Sequence, residues 1–431
     1  MKIVIATAVY YPQINGVAVF SHNLAQGLAA RGHEVLVICP SQKGHSYTEL
    51  QDGVKVCYLR SIEAKVYPDQ IHPVPAHRHL GRFKLPKLWY RHGFRVSVFP
   101  QPEVNRILGS FQPDVVHVQV SDPIGLSVVG WARRHHIPVV TTEHNQPEVL
   151  TDPLKLPSIL KQPANFLLAS YFRSRQAKSD FVTMPTEQSI RNLLKNRDIG
   201  VPIAAVSNGV DLQHFRPGQP PAQIYEKYHI PKGRPIVLYL GRVDPEKQVG
   251  RVIEAFTKAR ATLINTGKPH ANQARSKLPP TGASPLLLIV GDGVDRARLE
   301  RQYAGDADIM FLGKVLPPDL YHIYQLGDVF ATASEIETQG IVLIEAAACG
   351  LPLIAVDKGA VSEICQDGVN GILCPAGNVP AITDALVKLL TDGKLRQQYS
   401  RASIKLAAQH DLGRTLDRFE HIYQHVIAKH S

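Results

Sequence analysis

Three consecutive segments decide the fold class: Ile3-Val-Ile-Ala-Thr7, then Val17-Ala-Val-Phe-Ser-His-Asn-Leu-Ala-Gln-Gly-Leu-Ala-Ala-Arg31, then Glu34-Val-Leu-Val-Ile-Cys39. The first is a continuous apolar run too short for a helix, which reads as a strand covered on both faces. In the second, Val17, Phe20, Leu24 and Leu28 recur at helical spacing, and Gly32 ends the pattern. The third is another buried strand. Between the first two, Tyr10–Gly16 is a turn containing Pro12, Asn15 and Gly16. Strand, helix and strand in that order form a βαβ unit, whose strands pair in parallel because the helix crosses over one sheet face.

The same alternation continues along the chain. Buried strands are predicted at Val54–Leu59, Val115–Val118, Val139–Thr142 and Phe181–Met184. A second series begins near Ile203, with strands at Pro235–Leu240, Leu286–Val290, Ile309–Leu312, Val329–Thr332 and Leu353–Val356 and helices including Gly250–Ala261 and Ile341–Ala348. The fold class is therefore α/β, with two doubly wound, Rossmann-like domains. The predicted boundaries are 1–202, 203–395, and a C-terminal helix over 396–431 packing back across both. Ligands of such sheets bind at the carboxyl ends of strands, so two facing domains would hold them in the cleft between. Thr262–Pro285, polar and rich in Pro, Gly, Asn and Lys, reads as an exposed insertion outside the chemistry.

At 431 residues there is length for two cores, and 44% hydrophobic with 20% charged residues fits a soluble globular class. The five cysteines, Cys39, Cys57, Cys349, Cys365 and Cys374, show no CxxC spacing and read as reduced thiols of a cytosolic protein. The opening Met-Lys-Ile-Val-Ile-Ala has too short an apolar run for a signal peptide, and no apolar run approaches the ~18 residues of a bilayer span. A net charge of +11 favours anionic partners: nucleotide diphosphates, anionic lipid or nucleic acid.

Candidate chemistry follows strand ends. In Glu335-Ile-Glu-Thr-Gln-Gly-Ile-Val-Leu-Ile-Glu345, Gly340 and the apolar run after it start a buried helix, with Glu337 in the preceding loop and Glu345 in the second turn. Unpaired N–H groups at such a start suit a phosphate, and the carboxylates suit sugar or ribose hydroxyls. A capped helix with two solvated glutamates fits the same residues. Glu335 reads as a solvated neighbour. Gly241-Arg-Val-Asp-Pro-Glu-Lys247 places Arg242 and Lys247 between a strand and the next helix, where they suit phosphate oxygens or serve as surface cations. Asn15 and Gly16 open the first helix, as an anion approach or as a turn without a ligand. His144, after the strand ending at Thr142, is in place to bond a substrate hydroxyl or a developing charge. Gly291-Asp-Gly293 has Arg296 where a dinucleotide fingerprint needs its third glycine, so a nicotinamide cofactor is disfavoured. Asp306 and Asp308 precede a strand and read as solvated. Arg78–Arg95 interleaves cations with apolar and aromatic residues and has no acid. Arg78, Arg82, Phe83, Lys84, Lys87, Leu88, Trp89 and Arg91 are its candidate membrane contacts, ahead of nucleic acid.

Taken in order, Tyr11-Pro-Gln-Ile-Asn-Gly-Val17, Arg31-Gly-His-Glu-Val35, Thr142-Glu-His144, Ser207-Asn-Gly-Val-Asp211, Gly241-Arg-Val-Asp-Pro-Glu-Lys247 and Glu337-x7-Glu345 resemble the retaining GT4 glycosyltransferases of GT-B architecture. The resemblance implies transfer of a hexose from a nucleotide-sugar, with no cofactor and no essential metal. By the same resemblance Arg242 and Lys247 would bind the diphosphate. Glu345 would hold the ribose, and Glu337 with Thr338, Gln339, Gly340, Ile341 and Val342 the donor sugar and phosphate. Gly16 would approach the diphosphate, and His144 the donor sugar. Within the family the motifs look most like bacterial diacylglycerol glucosyltransferases. That likeness implies UDP-glucose as donor, a membrane lipid such as 1,2-diacylglycerol as acceptor, and a cytoplasmic protein peripheral on the inner membrane face without nucleic-acid partners. The alternative within the fold is transfer to phosphatidylinositol, a soluble metabolite or a growing polysaccharide, for example of mannose from GDP-mannose.

Overall fold

The computed structural model describes residues 1–11, 13, 15–63, 95–119, 122–144, 157–195, 198–265 and 284–430. The predicted membrane contacts from Arg78 to Arg91, and most of the predicted insertion, lie outside the described residues. The chain divides into two compact units, one of residues 1–208 with 412–431, the other of residues 209–411.

The first unit runs β1 (Lys2–Ala6), α1 (Gly16–Ala30), β2 (Glu34–Pro40), β3 (Tyr47–Gln51), β4 (Val54–Leu59), the short pair β5 (Ile62–Glu63) and β6 (Arg95–Val96), α2 (Gln101–Phe111), β7 (Val115–Val118), α3 (Pro123–Arg134), β8 (Val139–Thr142), α4 (Ser158–Gln176), β9 (Phe181–Met184), α5 (Glu187–Leu194) and β10 (Ile203–Ala205). Its sheet has the order β10-β9-β8-β7-β1-β2-β4-β3, parallel except for β3 at the edge. The pleat sorts the core. Ile3 and Ile5 join Val35 and Val37 on one face with Phe20, Leu24 and Leu28 of α1, while Val4 and Ala6 join Leu36 and Ile38 on the other with α2 and α3. Because both faces are covered, these strands carry almost no polar residue.

The second unit runs α6 (Ala222–Lys227), β11 (Ile236–Leu240), α7 (Val249–Asn265), β12 (Leu286–Val290), α8 (Arg296–Gln302), β13 (Ile309–Gly313), α9 (Asp319–Leu326), β14 (Val329–Ala331), α10 (Ile341–Ala348), β15 (Leu353–Val356), β16 (Gly371–Cys374), α11 (Val379–Thr391) and α12 (Gly393–Ala407). Its sheet, β13-β12-β11-β14-β15-β16, is parallel throughout. Leu238 and Leu288 face α9 and α10; Val237 and Tyr239 face α7 and α11.

The domain boundaries differ from the sequence expectation at two points. β10 pairs with β9, so the first unit extends past residue 202. The single helix predicted over 396–431 is two helices in separate cores. Tyr399 and Ala407 of α12 are buried in the second unit; Leu416, Phe419, Ile422, Tyr423 and Val426 of α13 (Leu412–His430) are buried against α1 and the first sheet. All five cysteines are buried free thiols. Among the described residues no helix is long and apolar enough to cross a membrane.

Candidate functional site

In the second unit the site is built on loops after β11, β12 and β14. Gly291 follows β12 at φ +132°, and a Cβ there would stand 1.8 Å from the Gly241 carbonyl oxygen, so glycine is required for the two loops to touch. The Tyr239 hydroxyl donates to the Arg242 carbonyl at 2.6 Å, and Asp244 Oδ1 accepts from the Val294 amide at 3.0 Å. Gly291-Asp-Gly293, set aside in the sequence as an incomplete cofactor fingerprint, is thus a brace for the Gly241–Lys247 loop.

That loop presents two cations, both ion-paired. The Arg242 guanidinium donates to Asp244 and, through Nη2, to Glu246 at 2.7 Å. Burial pulls its pKa down, but Asp244, Glu246 and Glu337 outweigh burial and hold it above the ordinary arginine range. Lys247 Nζ donates to Glu337 Oε1 at 2.6 Å and lies 3.5 Å from Ser334 Oγ and 3.4 Å from the Ile336 carbonyl. Glu337 therefore joins two segments ninety residues apart in sequence.

Helix α10 begins directly after this pair. Gly340, at φ +80°, is its N-cap and no side chain caps it, so its first amides are left to a ligand or solvent. Thr338 and Gln339 lie between Glu337 and the cap, Gln339 buried; Ile341 and Val342 open the helix and pack on the second unit's core. Glu345, one turn further on, is only 8% exposed and accepts from the Tyr324 hydroxyl at 2.5 Å. Burial pushes its carboxyl up to about 7, with the Tyr324 hydrogen bond opposing the shift.

Two acidic readings are corrected. Glu335 is not a solvated neighbour: it accepts from Arg251 at 2.5 Å and from Lys358 at 2.9 Å. Burial raises its carboxyl, and the two cations outweigh that and hold it below the usual range. Asp306 and Asp308 are held by Arg260 and Arg234, which tie the start of β13 to α7 and β11.

In the first unit, Asn15 Oδ1 accepts from the Ala18 amide at 2.9 Å, so this side chain caps α1, with Gly16 as the first helical residue. His144 packs edge-on against Phe20 of α1, ring centroids 5.2 Å apart, which brings it to the same helix that Asn15 and Gly16 begin. Its Nε2 lies 2.9 Å from Gln119 Oε1, an atom that only accepts, so Nε2 carries the proton and Nδ1 is the bare nitrogen. Burial lowers the His144 pKa to about 3, so the ring is neutral at pH 7 and acts as a dipole rather than as a cationic acid. Behind it, Gln119 Nε2 is 3.2 Å from His117 Nε2, and His117 bonds Thr142 Oγ1 at 2.7 Å and the Tyr423 hydroxyl of α13 at 2.6 Å. The sequence reading missed Gln119, His117 and Tyr423, whose roles rest on contacts across up to 306 residues. Tyr423→Phe should cost about 1–2 kcal/mol in urea unfolding, because His117 Nδ1 loses its shortest hydrogen bond while staying buried; an unchanged midpoint would remove the network from the account.

The Glycosyltransferase Family 4 model matches residues 14–214, and the Glycosyl transferases group 1 model matches residues 222–406. The chain belongs to glycosyltransferase family 4. Among relatives of this GT4 chain, a GDP-mannose-dependent alpha-mannosyltransferase of Mycobacterium tuberculosis (strain CDC 1551 / Oshkosh) is 28% identical over 407 residues, covering 94% of this chain and 91% of that protein. An alpha-monoglucosyldiacylglycerol synthase of Acholeplasma laidlawii is 26% identical over 381 residues, 86% of this chain and 84% of that one. The sucrose-phosphate synthase of Thermosynechococcus elongatus superposes with a TM-score of 0.72 over 100% of both chains at 16% identity. The GT4 chain has the GT-B fold that its motifs imply.

Proposed function

We propose that this chain is a retaining, metal-independent hexosyltransferase that moves glucose from UDP-glucose to a membrane lipid such as 1,2-diacylglycerol, working at the inner face of the cytoplasmic membrane. The observation that carries the reading is the Lys247–Glu337 pair standing directly before the uncapped start of α10. A diphosphate placed there meets Lys247, Arg242 and the first amides of the helix, all of which favour the charge of a departing nucleotide. Glu337 accepts from hydroxyls of the donor sugar, and Glu345 from the ribose. The bond from the anomeric carbon to the diphosphate oxygen breaks as the acceptor hydroxyl oxygen bonds to the same face. The acceptor proton passes to the departing phosphate oxygen, so no enzymic nucleophile is required. The motif likeness alone assigns His144, neutral and fixed through Nε2, to the donor sugar.

The lipid acceptor draws on the motif likeness, on the acid-free basic stretch Arg78–Arg95 and on the net charge of +11. A second reading, transfer of mannose from GDP-mannose, draws on the mycobacterial relative, which covers 94% of this chain. A panel of nucleotide-sugars against lipid and soluble acceptors, with and without EDTA, separates the two. We expect turnover of UDP-glucose onto diacylglycerol that EDTA leaves unchanged. Turnover of GDP-mannose alone selects the second reading, and loss of activity with EDTA refutes metal independence.

A further inference from the structure

Helix α4 carries an apolar stripe that the core of its own unit does not use. Of its residues Ala169, Phe172 and Gln176 are buried, all in the C-terminal half, and from Ile159 to Leu168 none is. Ile159 is 81% exposed, Leu160 56%, Phe166 50%, Leu167 67% and Tyr171 40%. Five of the thirteen exposed large apolar side chains among the described residues therefore sit on this one helix. Their spacing is helical: Ile159, Pro163 and Phe166 on one row, Leu160, Ala164, Leu167 and Tyr171 on the next. The charge around the stripe has one sign. From Pro153 to Ser179 there is no Asp or Glu, while Lys155, Lys161, Arg173, Arg175 and Lys178 are present.

We infer that α4 lies in the surface of an anionic lipid bilayer, its apolar stripe at the headgroup–acyl boundary and its lysines and arginines among the headgroups. This rests on the lipid-acceptor reading above. A helix polar on one side and apolar on the other, with cations only, has the composition of an interfacial element. Long basic side chains extend past the apolar face to reach phosphate. A second copy of this chain is the poorer occupant, since two copies meeting through this helix would bring two acid-free cationic rims together.

The test uses the full chain with vesicles of phosphatidylcholine alone or mixed with phosphatidylglycerol. The double substitution Leu160→Glu/Leu167→Glu should weaken partitioning onto the anionic vesicles by about tenfold or more. Lys161→Glu/Lys178→Glu should weaken it at low salt and much less at high salt. Both variants should keep wild-type transfer to a short-chain, water-soluble diacylglycerol, which shows that fold and site are intact. Undiminished vesicle binding by both variants would overturn the inference. So would light scattering that shows a wild-type dimer split by Leu160→Glu/Leu167→Glu. Vesicle binding that depends on α4, without transfer to any lipid, would sink the acceptor reading and leave the docking face standing.

Discussion

Lys247→Ala is expected to lower kcat/KM by about 10²–10³-fold, chiefly through kcat. Lys247 is paired with Glu337 at 2.6 Å. In the proposed reaction a bound diphosphate would gain from the Lys247 charge most as the sugar–phosphate bond breaks and negative charge collects on the leaving oxygen. The effect should therefore fall on the transition state more than on donor affinity. The fold should survive, because the pair is partly exposed, with 16% and 14% of the two side chains accessible. The melting temperature should drop by only a few degrees, an order of about 1 kcal/mol. Steady-state kinetics with a melting curve decide the matter: near-normal kcat in a folded variant would refute the assigned role.

Glu345→Gln is expected to remove a pH dependence of nucleotide binding. Burial raises the carboxyl to about 7, so at pH 6 most of the protein holds it protonated, and a protonated carboxyl is a poorer acceptor for ribose hydroxyls. If the ionised form binds, affinity for the nucleoside diphosphate should rise about tenfold between pH 6 and pH 8 in the wild type. In the glutamine variant it should be weaker and flat. The stability effect has the opposite sign. A folded-state pKa raised above the unfolded one gives stability that is complete below the ordinary glutamate range and is lost as pH rises through about 7. Glu345→Gln keeps an acceptor for the Tyr324 hydroxyl and loses that penalty, so it should melt higher than wild type at pH 8 and differ little at pH 5. Titration calorimetry across this range checks the first part. A wild type whose affinity does not change from pH 6 to pH 8 would take the ribose role from Glu345.

What the sequence made legible follows from where the information sits. Strands buried on both faces, such as Leu286–Val290 and Leu353–Val356, appear at the residues predicted, since continuous burial leaves a continuous apolar run. β3, Tyr47–Gln51, was not predicted because it is an antiparallel edge strand with exposed residues alternating along it. The segment 396–431 reads as one amphipathic stretch, but the break between α12 and α13 comes from which core each helix finds, a tertiary fact. At the site, the loops after β11 and β14 were visible as strand ends with cations and carboxylates. Their pairing was not. Glu335 and Glu337 stand two residues apart and look alike, yet Arg251 and Lys358 take one and Lys247 the other. Asp244 and Glu246 stood inside the quoted motif, and only the folded loop makes them partners of Arg242. Tyr324 as the partner of Glu345 left no local signal.

Stereochemistry tests the proposed reaction most directly. The chain would be incubated with UDP-glucose, whose anomeric carbon is α-linked, and vesicles containing 1,2-diacylglycerol, and the linkage of the product read from its anomeric proton coupling by NMR. The expected product is a glucosyl diacylglycerol with the α-configuration kept. A β-linked product would contradict same-face transfer supported by Lys247, Arg242 and the start of α10.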